Sequence, residues 1–351
     1  MVDLTMKLMM NVDKSERFLI LGTLRTVAEG KLFLEAEYAR CTKMYCEMLI
    51  ENQKIDEAAN IIQEVQIETY GSIEKKEKLD YLLYQLWIML ERKDFVRTYI
   101  LSKKIDPPHL NEKGLEEQKI KFFQLIIKYY MHENLYLEIS QAYKTIYDCL
   151  KENPTLEEKL KLMQRMFENF LWSLLIAPYT NHKTDLLNIT NTYDKKELEA
   201  NPLLNFHIQS FLTNEVIPLH SPKLWEEVKG FETFRKTSDN QNPERNFECL
   251  QKEIIHHNLK VVEMYYSRIT LKRLAELSNV STEIIETEIA EMVCGGKLRA
   301  KIDRIVGIVD FRRQMQPHDY MNDWSYDIKS LLNLVEDTCH LINREHVVHT
   351  K

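Results

Sequence analysis

Glycine and proline are scarce: the chain has 8 and 9 of them in 351 residues, about 5% together where ordinary usage is about 12%. So few turn-formers cannot punctuate a sandwich, a barrel or a doubly wound sheet, and an all-α fold is expected. The shortage also removes the phosphate-cradling loops, since neither GxGxxG nor GxxxxGK[ST] occurs. Paired cysteines are missing too. Cys41, Cys46, Cys149, Cys249, Cys294 and Cys339 form no CxxC, and scattered single thiols point to a reducing, cytoplasmic and nuclear setting. No apolar run approaches the roughly 20 residues of a membrane span. The opening stretch MVDLTMKLMMNVDK holds Asp3, Lys7 and Asp13, which does not read as a signal peptide. Nor is there an excess of positive charge: the net charge of −7 argues against a chain whose main work is neutralising phosphates. No membrane and no nucleic-acid partner is expected.

What the chain does have is helical periodicity. Ser15 is expected to cap a helix through Phe18, Leu21, Leu24 and Val27 that stops at Gly30. Further helices are expected at about 34–52, 56–70, 73–91, 94–106, 115–131 and 135–150, then a long one at 155–176 ended by Ala177-Pro178. Polar links fall at Glu51–Lys54, Glu91–Asp94 and His132–Asn134, with starts 40 and 41 residues apart. Each is followed by small residues: Ala58 and Ala59, Thr98, Ser140 and Ala142. A period near 40 with two helices per unit marks an α-solenoid, because one helical pair cannot bury its own apolar face. The stretch 178–202 reads as short broken helices, 235–243 as a loop, and 244–267 as a helix with a wide apolar face.

The pattern then changes. Thr270 caps LKRLAEL, Ser278-Asn279 turns, and Ser281 caps a second helix that ends at Gly295-Gly296. Residues 297–302 alternate polar and apolar, Asp303-Arg304 turn, and 305–309 read as a second strand. Helix, turn, helix, hairpin is a winged helix. A final helix, capped by Asn322 or Asp323, carries Ile328, Leu331, Val335, Thr338 and Ile342 at alternating spacings of 3 and 4, a coiled-coil seam. With no core following, that seam is expected to fold back or meet other chains. Val306 and Ile308, on the expected second strand, are candidates for pairing with a partner's strand.

No catalytic constellation emerges. HExxH, the carboxylate–HxH cluster of zinc deubiquitinases and GxSxG are absent. His256 and His257 are adjacent on a helix and point about 100° apart, so they do not chelate together. His346 and His349 would supply only two ligands. No metal and no cofactor is expected. The second helix of the helix-turn-helix carries Glu283, Glu286, Glu288 and Glu291 without Lys or Arg, which disfavours reading DNA. The wing is basic, with Lys297, Arg299, Lys301 and Arg304.

Helical repeats capped by a winged helix make the PCI module. TVAEGKLFLEAEYAR (26–40), ENQKIDEAANIIQEVQIETYGSIEKKEK (51–78), RTYILSKKI (97–105), YYSRITLKRLAEL (265–277), AKIDRIVGIVDF (300–311) and NDWS (322–325) resemble the PCI-domain lid subunits of the 26S proteasome regulatory particle. The resemblance runs from about residue 18 to the end and is weaker across 155–250. It implies a helical-repeat solenoid over 1–220, with the PCI helical part from about 115, a winged-helix part over 221–316 and a C-terminal bundle helix over 317–351. It also implies a non-catalytic scaffold that supports ATP-dependent degradation of ubiquitinated proteins. The implied partners are other lid subunits (PCI subunits and the deubiquitinase pair), the base ATPases and the core particle. Family members carry further repeats ahead of the TVAEGK block, so a truncated, divergent or reduced form is expected here. The alternatives are a COP9 signalosome PCI subunit, which the ETYGSIEKKEK block disfavours, and a PCI-type nucleic-acid-binding adaptor.

Overall fold

The computed structural model describes residues 14–71, 73–105, 110, 114–152, 157–217, 228–235, 243–311 and 317–349. Fifteen α-helices and three short strands are present among them. The chain divides into two compact units, residues 1–214 with 221–254, and residues 215–220 with 255–351. No described helix is long and apolar enough to cross a membrane.

The first unit holds α1 (Lys14–Ala28), α2 (Glu35–Glu51), α3 (Ile55–Gln63), α4 (Lys75–Glu91), α5 (Phe95–Lys104), α6 (Glu116–Glu133), α7 (Tyr136–Glu152) and α8 (Glu157–Ile176). Then come α9 (Asn181–Tyr193), α10 (Lys195–Ala200), α11 (Pro202–Leu212) and the first half of α12 (Pro243–Tyr265). From α1 to α8 each helix packs on the next, the one-dimensional stacking of helical repeats. Ser15 does not cap α1 but lies inside it, because the helix already includes Lys14. Asp94 does cap α5, its carboxylate accepting from the Arg97 N–H. The expected helix stop at Pro107-Pro108 and most of the 235–243 loop lie outside the described residues.

The repeat period has a backbone cause. Gln53, Lys93 and Asn134, 40 and 41 residues apart, are all left-handed, with φ of 60°, 63° and 59°. Around each, the same two bonds close the preceding helix. Gln53, Lys93 and Asn134 donate to the carbonyls of Ile50, Leu90 and Met131, while Lys54, Asp94 and Leu135 donate to those of Leu49, Met89 and Tyr130. The six-to-one bond is the Schellman closure, usually built on glycine. The small residues that follow, Ala58, Ala59, Thr98, Ser140 and Ala142, are buried.

Two buried polar side chains finish helix ends that water cannot reach. Gln85 donates to the carbonyls of Ile62 and Val65, at 2.8 and 3.1 Å, below α3. Lys183, only 2% exposed, donates to Leu175 and Ala177 at 2.8 and 2.6 Å, and pairs with Glu253 at 3.3 Å. Pro178 breaks α8, and Lys183 satisfies the carbonyls that the break strands. Beside it, Trp172 packs against His207, Phe231 and Phe234 with ring centroids 5.2–5.5 Å apart. Burial drives the His207 imidazole down to about pKa 4, so it sits neutral in the core. Cys41 and Cys46 are fully buried packing residues, and burial pushes the Cys46 thiol up to about 12, which makes it inert.

In the second unit the end of α12 leads through β1 (Arg268–Thr270) into α13 (Leu271–Ser278) and α14 (Thr282–Cys294), then β2 (Lys301–Asp303), β3 (Ile308–Asp310) and α15 (Pro317–His349). Asn258, fully buried on α12, fixes the incoming segment by exchanging two hydrogen bonds with the Ile217 backbone, at 2.8 and 2.9 Å. Thr270 caps α13 through the Arg273 N–H, and Asn279 ends it in the left-handed region. Ser281 precedes α14 but its side chain makes no capping bond. Leu274, Ile285, Ile289, Met292, Leu298 and Val309 form the small core. Tyr265, the last residue of α12, and Tyr266 just after it are exposed, so the wide apolar face expected over 244–267 stops short of its end.

Candidate interaction interface

The wing differs from its sequence reading. The sheet order is β1-β3-β2, both pairings antiparallel, so β3 is the central strand. β1, a three-residue strand hidden in YYSRIT, was not legible as a strand. The strands expected at 297–302 and 305–309 occur three to four residues later and are shorter. Val306 is therefore not on a strand. The N–H groups of Ile305 and Val306 donate to the Asp303 carboxylate at 3.1 and 3.3 Å, and Gly307 takes φ 70°. Ile305-Val306 read as strand because both are β-branched, but the aspartate turn and the left-handed glycine prevail. Ile308 opposes Thr270 on one side and Asp303 on the other, so its backbone sits in the sheet's middle. The outer strands of the sheet are β1 and β2. Ile305, 99% exposed, and Val306, 63% exposed, make an apolar tip instead.

The acidic face of α14 is divided between inward and outward work. Glu286 pairs with Arg304 of the wing, which spends one of the four basic wing residues internally. Arg268 and Asp310 pair across the sheet at 2.6 Å. Glu288 is buried and lies 2.8 Å from His256 Nε2 on α12. His257 turns elsewhere, its Nε2 3.3 Å from the Glu215 carbonyl oxygen, so the two adjacent histidines diverge as the helix geometry requires. Glu291 lies one turn beyond Glu288. Among the described residues, one group of three that could hold a metal ion is His256, Glu288 and Glu291, with candidate ligand atoms all within 4.8 Å of one another. Sequence reading missed it because its partners come from two helices 32 residues apart.

The C-terminal helix is longer than expected. α15 starts at Pro317, where proline suits a first turn, and runs 33 residues. Every side chain described on it is exposed, including Ile328, Leu331, Val335, Thr338 and Ile342. The Thr338 hydroxyl donates back to the Leu334 carbonyl at 2.7 Å. The earlier start brings in Tyr320, and with Trp324, also exposed, it extends the same stripe at spacings of four. Sequence reading lost Tyr320 by starting the helix at 322 or 323. Near its base, Asp323, Tyr326 and Asp327 line an open cleft of about 750 Å³ with Arg299, Lys301 and Asp310 of the wing. His346 is exposed near the end of α15; the His349 side chain lies outside the described residues.

Comparison with known proteins accounts for most of the chain. Residues 1–153 match the family model described as PSMD12/CSN4, N-terminal. Residues 231–313 match the PCI domain, and 320–350 match the 26S proteasome regulatory subunit RPN5 C-terminal domain. The chain is 37% identical to 26S proteasome non-ATPase regulatory subunit 12 homolog B of Arabidopsis thaliana, over 96% of its own length and 80% of the relative's. It is 34% identical to 26S proteasome regulatory subunit RPN5 of Saccharomyces cerevisiae, over 97% and 75%. It is 33% identical to 26S proteasome non-ATPase regulatory subunit 12 of Dictyostelium discoideum, over 96% and 73%.

Proposed function

The chain belongs to the family of 26S proteasome non-ATPase regulatory subunit 12, and from that premise we propose that it is a non-catalytic scaffold subunit of the regulatory particle lid. It supports ATP-dependent degradation of ubiquitinated proteins through subunit–subunit contacts alone. The observation that carries this reading is the bare seam of α15, within the segment that matches the RPN5 C-terminal domain. A helix in water gains little from propensity, and most helical stability comes from packing an apolar face. Each large apolar side chain removed from water contributes roughly 1.5–3 kcal/mol. The seam from Tyr320 to Ile342 is therefore a surface made to be covered, and the bundle of other lid subunits is its occupant. The base ATPases and the core particle are its further partners in this reading.

The internal pairing of Arg304 with Glu286 and the carboxylates of α14 support a protein partner for the winged helix over a nucleic acid. Val306 and Ile305 would act there as an apolar tip pressed into a neighbour, and the edges of β1 and β2 as the places where a strand is added. The free thiols fit the cytoplasm and nucleus.

The test is a double substitution, Leu331→Asp with Val335→Asp, followed through lid assembly by native gel and size exclusion. The variant is expected to stay folded and soluble and to be missing from complete lids. Assembly at the wild-type level would show that the seam is not an interface. In the same preparations the isolated chain is expected neither to cleave ubiquitin conjugates nor to hydrolyse ATP, and turnover would end the non-catalytic reading.

A further inference from the structure

We propose that His256, Glu288 and Glu291 form a divalent transition-metal site, one that prefers zinc to manganese, that ties α14 of the winged helix to α12. Glu288 and Glu291, three apart, share one face of α14. α12 lays His256 against that face, with Nε2 2.8 Å from a Glu288 oxygen. The three candidate ligand atoms lie within 4.8 Å of one another. Zinc holds imidazole nitrogen and carboxylate oxygen at about 2.0–2.2 Å in a tetrahedron, which sets ligand atoms about 3.4 Å apart. Admitting the ion asks Glu288 and His256 to part slightly and Glu291 to draw in by a side-chain rotation. Both helices keep their places.

Charge favours the ion. Two carboxylates converge here, one of them buried, and like charges at close range repel. A dication cancels both at once. The donor set sets the preference: one imidazole and two carboxylates suit zinc, while magnesium and calcium prefer oxygen alone. Manganese can use the same donors but stands lower in the affinity order. Glu291 is exposed. The ion can therefore enter from its side, and a water can take the fourth position. Bound there, the metal adds coordinate bonds from both helices to the contact between His256 and Glu288.

The experiment titrates the full chain, stripped with chelator, with zinc chloride and separately with manganese chloride in a calorimeter. One saturable equivalent of zinc is expected, bound at least about tenfold more tightly than manganese. A zinc-dependent rise in melting temperature, reversed by chelator, goes with it. Glu291→Gln alters an exposed residue and, measured against its own metal-free melt, should weaken zinc by at least about tenfold. His256→Gln should remove the site. If that variant fails to fold, Glu291→Gln alone decides. Absence of saturable zinc binding overturns the proposal. So does a Glu291→Gln variant that binds zinc as tightly as the wild type, since the ion would then sit elsewhere, for example at Glu336 and His340 on α15.

Discussion

From Phe170 to Ala177 every residue at the end of α8 is buried, whereas every side chain described on α15 is exposed. Both helices carry large apolar residues, so composition does not separate them. Their angular spread does. The sequence FLWSLLIA is apolar all the way round, and such a helix has no face to show to water. α15 keeps its apolar residues mainly to one stripe among Asp, Asn, Lys, Glu and Arg, which leaves a wettable back and one uncovered seam. The first helix is held by its own chain. The second leaves its seam in water.

Three measurements test that contrast. The largest effect belongs to α8. Trp172→Ala removes the ring that packs between His207, Phe231 and Phe234 and should cost about 3–5 kcal/mol in urea unfolding. A cost below about 1 kcal/mol would mean that the region is looser than its burial indicates.

The second effect depends on pH. His207 has its pKa lowered from 6.5 to about 4 by burial, so the folded form binds fewer protons than the unfolded one in that window. Stability is therefore complete above about pH 6.5 and falls toward pH 4, by up to about 3 kcal/mol from this group. Denaturation at pH 7.5 and pH 4.5, with His207→Leu beside the wild type, isolates the contribution. The variant should lose less stability on acidification, and equal losses would reject the assignment.

The smallest effect is the sharpest on α15. The Leu331→Asp, Val335→Asp variant should unfold within about 0.5 kcal/mol of the wild type, because both positions are already in water. A loss of several kcal/mol would show that the seam is packed on its own chain in solution.

Where the sequence was legible, local chemistry and packing agreed. The three repeat links announced themselves by polarity and period, although nothing in Gln53 or Lys93 signals a left-handed residue that glycine would fill more easily. Thr270, Asp94 and Gly295-Gly296 were readable as helix ends because their roles are local. The wing was misplaced because Asp303 and Gly307 together override two β-branched residues, and β1 escaped because a three-residue strand exists only through its neighbour. The His256–Glu288 contact joins residues whose proximity is set by how α12 meets α14. Periodicity along either helix carries no record of that.

The length of α15 has a kinetic consequence. At 1.5 Å per residue its 33 residues extend about 50 Å, held mainly by the helix's own backbone bonds. Such a segment opens locally at little free-energy cost, so its amides should exchange quickly, and a protease should cut there before it reaches the core of the first unit. Covering the seam would slow both processes together. A copy of the chain that never finds its neighbours then carries its own mark of being unassembled, and its survival would report whether a complex has formed around it.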